Sequence, residues 1–543
     1  MFILGLIFSS VFCWSTPRFY SQIAITGPTA DANEYGKLIA KNGGNVVDVA
    51  VAVGLAMTVT NPFNASIGAG GFALIKTPKK PVVALDFRET APAKTHPKYF
   101  LNQAGNASID GGKAVGVPGY LLGLWEMHKK FGKLPWQKLV LGAINLAEHG
   151  FQVGGQWVQR TKSNENRFNV SGKKFFMLPS GQHYQPGQIH RQPQLAKALK
   201  SIKRNVQSVY SGEIAQDIVH TVQESGGDLS LQDLREYKVR WLKPLEGHYL
   251  KYKLYLMPPP SSGGVVTQVA FALFEKLKMI DQRPLSFEEI HLIAEVLKVS
   301  FQGRALLGDP DFTSNPIDSL LSNETIEKWS QKISKNKVLQ LKPLQLQDRE
   351  SSETTHFTVM DKNGSAVSLT VTLNGAYGSG LVTSKYGITL NNEMDDFSTR
   401  LDEPNMYGLV QGHANRVEPK KRPLSSMSPT LIGDGENIIA ALGAPGGPRI
   451  ISGVILTMYR LLVSKMDIDQ AIQSPRVHHQ FLPDIVYYER NLFSPELIES
   501  LEKKGHKVEE AKWMARVNGI RLNEEGQLEA AFDSRGEGNS SGF

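Results

Sequence analysis

The chain has 543 residues, enough for two or three domains or one large composite core. It is 41% hydrophobic and 21% charged, the balance of a globular protein rather than a disordered one. A net charge of +8 is mild, and the only tight basic run, Lys420-Lys421-Arg422, is too short for a nucleic-acid footprint, so no nucleic-acid partner is expected.

In chain order, residues 2–14 form an apolar run too short to cross a bilayer as a helix, and its length suits the core of a secretory signal. It lacks a preceding basic stretch, and no small-x-small cleavage site follows. Residues 1–21 are therefore expected to be a leader, with a periplasmic or secreted destination. Cys13, the single cysteine, lies in this run, so the mature chain forms no disulfide and a cysteine-based zinc site is excluded. No other stretch reaches transmembrane length, so no stable membrane span is expected.

Residues 30–58 read as helix interrupted at Gly43-Gly44, and the part from Val46 on is apolar nearly all round, as expected of a helix buried between layers. Residues 64–71 read as a glycine-rich loop, and 72–76 and 82–87 as paired strands with Arg88 at the end of the second. Residues 119–131, 137–149 and 286–303 read as helices. Pro258–Gly264 reads as a stiff turn opening a helix to about residue 278. After residue 354 come strands, a Gly/Pro/Ser-rich region from 404 to 448, and a helix over 450–464. The chain ends in soft residues, 535–542. His478-His479 read as structural, since neighbours on a strand point to opposite faces. Strands gathered around residue 354, with helices before and after, predict a layered α+β sandwich.

Thr354 carries the sharpest chemical signal. It stands between a polar stretch, 345–353, and the alternating run Thr355–Asp361, followed by a turn at Asn363-Gly364 and a second alternating run. A threonine there is ordinarily a packing residue, because β-branched side chains favour strands. It is also where a chain can cut itself. Cleavage at Glu353–Thr354 makes the hydroxyl a nucleophile and the new α-amino group its base, with a pKa near working pH. A three-residue loop with Gly364 left-handed sets Thr354 opposite Thr372; a two-residue loop sets it opposite Leu373. Either register keeps Thr372 within about 4.5–8 Å, near enough to support the nucleophile.

Other pieces point to a zwitterion. Arg88 is a planar fork suited to a carboxylate. Asn391-Asn392-Glu393-Met394-Asp395-Asp396 packs amides and acids in one loop, which suits a cation or a substrate ammonium through Glu393 and Asp396. Ser425 and Ser426 sit in a proline-bounded loop and donate to an oxyanion or a carboxylate. Gly446 and Gly447 offer bare N–H groups before a helix, as an oxyanion hole does. No phosphate-loop lysine follows them.

With Thr354-Thr355-His356, Thr372-Leu373-Asn374, residues 391–398, Arg422-Pro423-Leu424-Ser425-Ser426-Met427-Ser428-Pro429 and Pro445-Gly446-Gly447 on the page, the chain resembles the bacterial γ-glutamyltranspeptidases (glutathione hydrolases), N-terminal-nucleophile hydrolases. Asp86–Glu89, Gly116–Gly119 and Pro258–Gly264 add to the likeness, which runs from about residue 30 to the end. The resemblance implies a four-layer αββα sandwich built from two subunits of one precursor, 22–353 (large) and 354–543 (small, catalytic). It implies attack of Thr354 on a γ-glutamyl amide, with Thr372 in support and Gly446 and Gly447 as oxyanion donors. Arg88, Ser425 and Ser426 would hold the substrate carboxylate. Asn374, Glu393 and Asp396 would hold its ammonium, with Tyr407 on a lid loop. Donors would be glutathione and other γ-glutamyl compounds; acceptors would be water, amino acids or dipeptides. No metal and no cofactor is implied.

The loop 67–71 is less glycine-rich than the family pattern, and Ala444 and Pro448 stand where relatives often carry a hydroxyl. These departures leave acceptor preference open, not reaction class. Two rivals stand beside this reading: a related acylase of β-lactam side chains, and an uncleaved binder of γ-glutamyl compounds. The clamp residues Arg88, Asp396 and Ser425 argue against the acylase. Thr354, Thr372 and the two glycines argue against the binder.

Overall fold

The computed structural model describes residues 17–341, 354–400, 403–435 and 437–543; the apolar run 2–14 and the polar stretch 345–353 lie outside them. Two seven-stranded sheets form the centre, each antiparallel throughout. One runs, edge to edge, Asn539–Gly542, Ile23–Gly27, Thr355–Asp361, Ala366–Thr372, Gly70–Lys76, Val83–Phe87 and Arg240–Leu242. The other runs Arg18–Tyr20, Leu528–Phe532, Asn518–Leu522, Ile438–Gly443, Thr430–Gly433, Tyr252–Leu256 and Leu245–Tyr249. The two sheets stack, and helices cover both outer faces, giving the four-layer α+β sandwich.

Side-chain alternation explains the stacking. In Thr355–Asp361, Phe357 and Val359 join the apolar cluster under the helices Ala30–Lys41 and Val46–Thr60. The intervening His356 and Thr358 turn toward the other sheet, where the His356 ring bridges Thr370 Oγ1 at 2.8 Å and Thr358 Oγ1 at 3.0 Å. Burial holds that imidazole down to about 3, so it stays neutral. Val46–Thr60 is buried along its whole length, between this sheet and the helix Trp136–His149. Asn45 starts it with a capping box, its side chain accepting from Asp48 N while Asp48 accepts from Asn45 N. Gly263–Lys276 and Arg449–Leu462 line the opposite outer layer.

One expectation changes. Residues 535–542, read as a soft end, contain the edge strand Asn539–Gly542, which pairs with Ile23–Gly27. Ladder hydrogen bonds come from the backbone, so a strand needs no apolar signature where Ser540 and Ser541 suffice to pack. Residues Arg18–Tyr20, assigned to the leader, pair with Leu528–Phe532, and Ser21 N donates to Phe543 O. Six further α-helices between 155 and 236 carried no assignment from sequence. Among the described residues no helix is long and apolar enough to cross a membrane.

Candidate active site

The turn Lys362-Asn363-Gly364 fixes the position of Thr354. Gly364 is left-handed (φ 76°), and its N–H donates to Asp361 O; Asp361 N donates to Ser365 O at 2.9 Å. Thr355 therefore pairs with Val371 and Thr354 falls opposite Thr372, the three-residue-loop register. The two hydroxyl oxygens lie 3.3 Å apart, and both side chains are buried.

Thr372 Oγ1 also accepts from Asn374 N at 2.8 Å, which turns the chain sharply, with Asn374 left-handed at φ 70°. Tyr407 closes over this corner. Its hydroxyl donates to Asn374 O at 2.5 Å, and its ring lies so near Gly447 that a Cβ there would meet Tyr407 Cδ1 at 2.7 Å. Gly446 and Gly447 hold positive φ, 140° and 52°. Their carbonyls accept from Arg449 N and Ile450 N, opening the helix Arg449–Leu462, while among the described residues neither glycine N–H has an acceptor.

Arg88, at the end of Val83–Phe87, is fully buried. Its Nη1 pairs with Glu393, its Nη2 with Asp396 Oδ2 at 2.5 Å, and its Nε donates to Pro423 O at 3.3 Å. Burial alone would lower its pKa; Glu393, Asp396 and Glu89 outweigh burial and raise it. Burial lifts Glu89 and Glu393 above the usual carboxylate range, most strongly Glu89, which lies 3.8 Å from Arg88 Nη1. Arg88 thus organises the acidic pair, and a substrate carboxylate seated on it must share the fork with them.

The remaining motifs hold this cluster in place. Asn391 Nδ2 donates to Gly68 O and Gly116 O, and its Oδ1 accepts from Gly116 N and Glu393 N. That explains the glycines: a Cβ at Gly68 would meet Thr389 O at 2.3 Å, and one at Gly70 would meet Glu89 Oε2 at 2.2 Å. Asp395 ties the acidic loop to the Tyr407 loop through Met406 N at 2.9 Å. The Pro258–Gly264 turn grips the serine loop: Ser262 N and Oγ both donate to Ser425 O at 2.8 Å, and Ser425 N donates to Pro260 O at 2.8 Å.

One cleft is lined by Arg88, Thr354, Thr372, Asn374, Glu393, Asp396, Tyr407, Ser425, Ser426 and Gly447, the residues singled out from sequence; Gly446 stands directly before Gly447. Sequence reasoning missed Arg304, which lines the same cleft. A wider surface groove among residues 488–510 holds none of these groups. His478 and His479 lie outside the cleft. His478 bonds Ser452 and Gln480, His479 bonds Asp484, and burial keeps both rings neutral. Among the described residues no cluster of three or more His, Cys, Asp or Glu side chains is arranged to hold a metal.

Arg88→Lys is expected to raise KM for a γ-glutamyl anilide roughly tenfold or more while leaving self-cleavage intact. A point charge reaches one carboxylate and leaves its buried neighbour short of a partner. Steady-state kinetics alongside a denaturing gel check this; an unchanged KM removes Arg88 from substrate binding.

A threonine heading a central strand of an αββα sandwich, with bare glycine amides and a charge clamp beside it, defines the N-terminal-nucleophile hydrolase class. Residues 32–543 match the family model described as Gamma-glutamyltranspeptidase. The glutathione hydrolase proenzyme of Escherichia coli (strain K12) is 38% identical over 525 residues, covering 95% of this chain and 90% of that protein. The crystal structure of Helicobacter pylori gamma-glutamyltranspeptidase superposes with a TM-score of 0.56 at 35% identity, covering 58% of this chain and 93% of that one. A cephalosporin acylase from Bacillus halodurans shares the fold over 97% of both chains, with a TM-score of 0.86 and 23% identity. The chain belongs to the gamma-glutamyltranspeptidase family.

Proposed function

We propose that this chain is a proenzyme that cuts itself at Glu353–Thr354 and then, as a large (22–353) and small (354–543) subunit pair, transfers γ-glutamyl groups from glutathione and related donors to water, amino acids or dipeptides. The observation that carries this reading is Thr354 Oγ1 held 3.3 Å from Thr372 Oγ1 in the cleft lined by Arg88, Glu393, Asp396 and Gly447.

In maturation the Thr354 hydroxyl adds to the Glu353 carbonyl. The peptide C–N bond breaks, freeing the Thr354 amine, and water hydrolyses the resulting ester, releasing the Glu353 carboxylate and restoring the Thr354 hydroxyl. In turnover that amine takes the hydroxyl proton as Oγ1 attacks the γ-amide carbon. The Gly446 and Gly447 N–H groups meet the oxyanion, and Thr372 fixes the direction of the hydroxyl. The leaving amine departs with the proton, and the ester on Thr354 passes its acyl group to water or an amine. Glu393 and Asp396, with Asn374, suit the substrate ammonium. Ser425, Ser426 and Arg88 suit its carboxylate, and Tyr407 covers the closed site. The apolar run 2–14, of a length that suits a secretory signal, supports a periplasmic or secreted location.

The test is a denaturing gel of the purified protein with a γ-glutamyl-p-nitroanilide assay on the same sample. Two fragments near two thirds and one third of the mass, together with nitroaniline release, support the reading. One intact band without activity leaves a binder. Two fragments active only on an acyl β-lactam side chain point to the acylase.

A further inference from the structure

Arg304 follows the helix Phe287–Gln302 in the short turn Gly303–Leu306, and only 4% of it is exposed. It lines the cleft with Thr354 and Ser426. Its hydrogen-bond partners are neutral: Nη1 donates to Gln411 Oε1 at 3.2 Å and Nη2 to Ser426 Oγ at 3.4 Å. Nε has no acceptor among the described residues. A buried guanidinium is normally matched by a carboxylate, because leaving its charge uncompensated in a dry site is costly.

Arg304 is nevertheless firmly placed. Gln411 Nε2 donates to Asp396 O at 2.7 Å, and Asn415 Nδ2 donates to both Gln411 Oε1 and Asp396 O. Asn415 Oδ1 in turn accepts from Leu424 N, at the start of the serine loop. Burial lowers the guanidinium to about 10, with Asp396 pulling it up and Arg88 down, so it stays charged at neutral pH.

The cleft's charges show what this cation is for. Arg88 is already paired with Glu393 and Asp396, so that cluster has no surplus positive charge and suits an ammonium. A donor's carboxylate on Arg88 shares that fork with two acids, whereas Arg304 beside it has no carboxylate among its hydrogen-bond partners. Ser426 links the two, since its oxygen accepts from Arg304 and, among the described residues, no acceptor takes its own proton. We propose that Arg304 is a specificity-determining residue of this cleft, adding through Ser426 a second positive group, beside Arg88, to the donor's α-carboxylate subsite. This rests on the Thr354 reading above and adds a residue to it.

The test compares the parent with Arg304→Met and Arg304→Lys on two substrates: γ-glutamyl-p-nitroanilide, and 4-aminobutyryl-p-nitroanilide, which lacks only the α-carboxylate. Arg304→Met is expected to raise KM for the first roughly 10- to 100-fold, the scale of one charge-assisted partner, with kcat little changed. Its kcat/KM for the second should match the parent's. Arg304→Lys should recover part of the loss. If Arg304→Met fails to mature on a gel, Arg304→Lys is read alone, with the same selective rise in KM expected at smaller size. A parent inert on the γ-glutamyl anilide overturns the Thr354 reading and this inference with it. An active parent whose variants lose equally on both substrates, or on neither, overturns the inference alone.

Discussion

Thr354→Ala is expected to remain a single uncut chain and to release no nitroaniline from a γ-glutamyl anilide. Both losses follow from one oxygen. Without the hydroxyl nothing adds to the Glu353 carbonyl, so the α-amine that would serve as base is never freed, and no acyl-enzyme forms. The deficit should exceed roughly 10⁴-fold, the scale of removing a covalent nucleophile. Folding should survive, because the side chain sits at the head of a strand whose ladder from Thr355 to Met360 is untouched. Thermal melting and a denaturing gel separate the two effects, and Thr354→Ser, which keeps a hydroxyl, should still cut. A Thr354→Ala protein that yields a fragment beginning at residue 354 and turns over substrate would sink the mechanism.

What sequence reveals of this site depends on how far each signal travels along the chain. The hairpin was legible because Asn363-Gly364 and the alternation on either side lie within twenty residues of Thr354, and register follows from loop length. Arg88, Glu393, Ser425 and Gly447 were legible as motifs with a chemistry, although nothing local says that strands and loops hundreds of residues apart meet in one cleft. The pairing of Arg88 with Glu393 and Asp396 was not legible, since a fork and an acid each read as poised for substrate until their distance is known. Arg304 was invisible for a plainer reason. An arginine just past a helix end normally faces water, and only the packing of Gln411 and Ser426 around it shows otherwise. The edge strand Asn539–Gly542 lacked apolar alternation, and its partner Ile23–Gly27 stands at the other end of the chain.

Thr372→Val is expected to slow both self-cleavage and turnover by roughly 10²–10³, the cost of removing one preorganised hydrogen-bonding group from a reacting centre. Valine keeps the β-branched shape and the strand preference, so the substitution isolates the hydroxyl. Two contacts depend on that oxygen. It lies 3.3 Å from Thr354 Oγ1, within reach to orient that hydroxyl's proton and lone pairs. It also accepts from Asn374 N, holding a non-glycine residue in the left-handed region from which the Asn374 carbonyl receives the Tyr407 hydroxyl. Losing it should therefore loosen the Tyr407 cover as well as the nucleophile, and KM should rise while kcat falls. Thr372→Ser, which restores the oxygen without the methyl, should recover most of both. The measurements are the half-time of maturation and kcat and KM on one γ-glutamyl anilide. Equal values in Thr372→Val and the parent would reduce Thr372 to a packing residue of its strand, and the 3.3 Å approach to Thr354 would then be a consequence of register rather than a part of the chemistry.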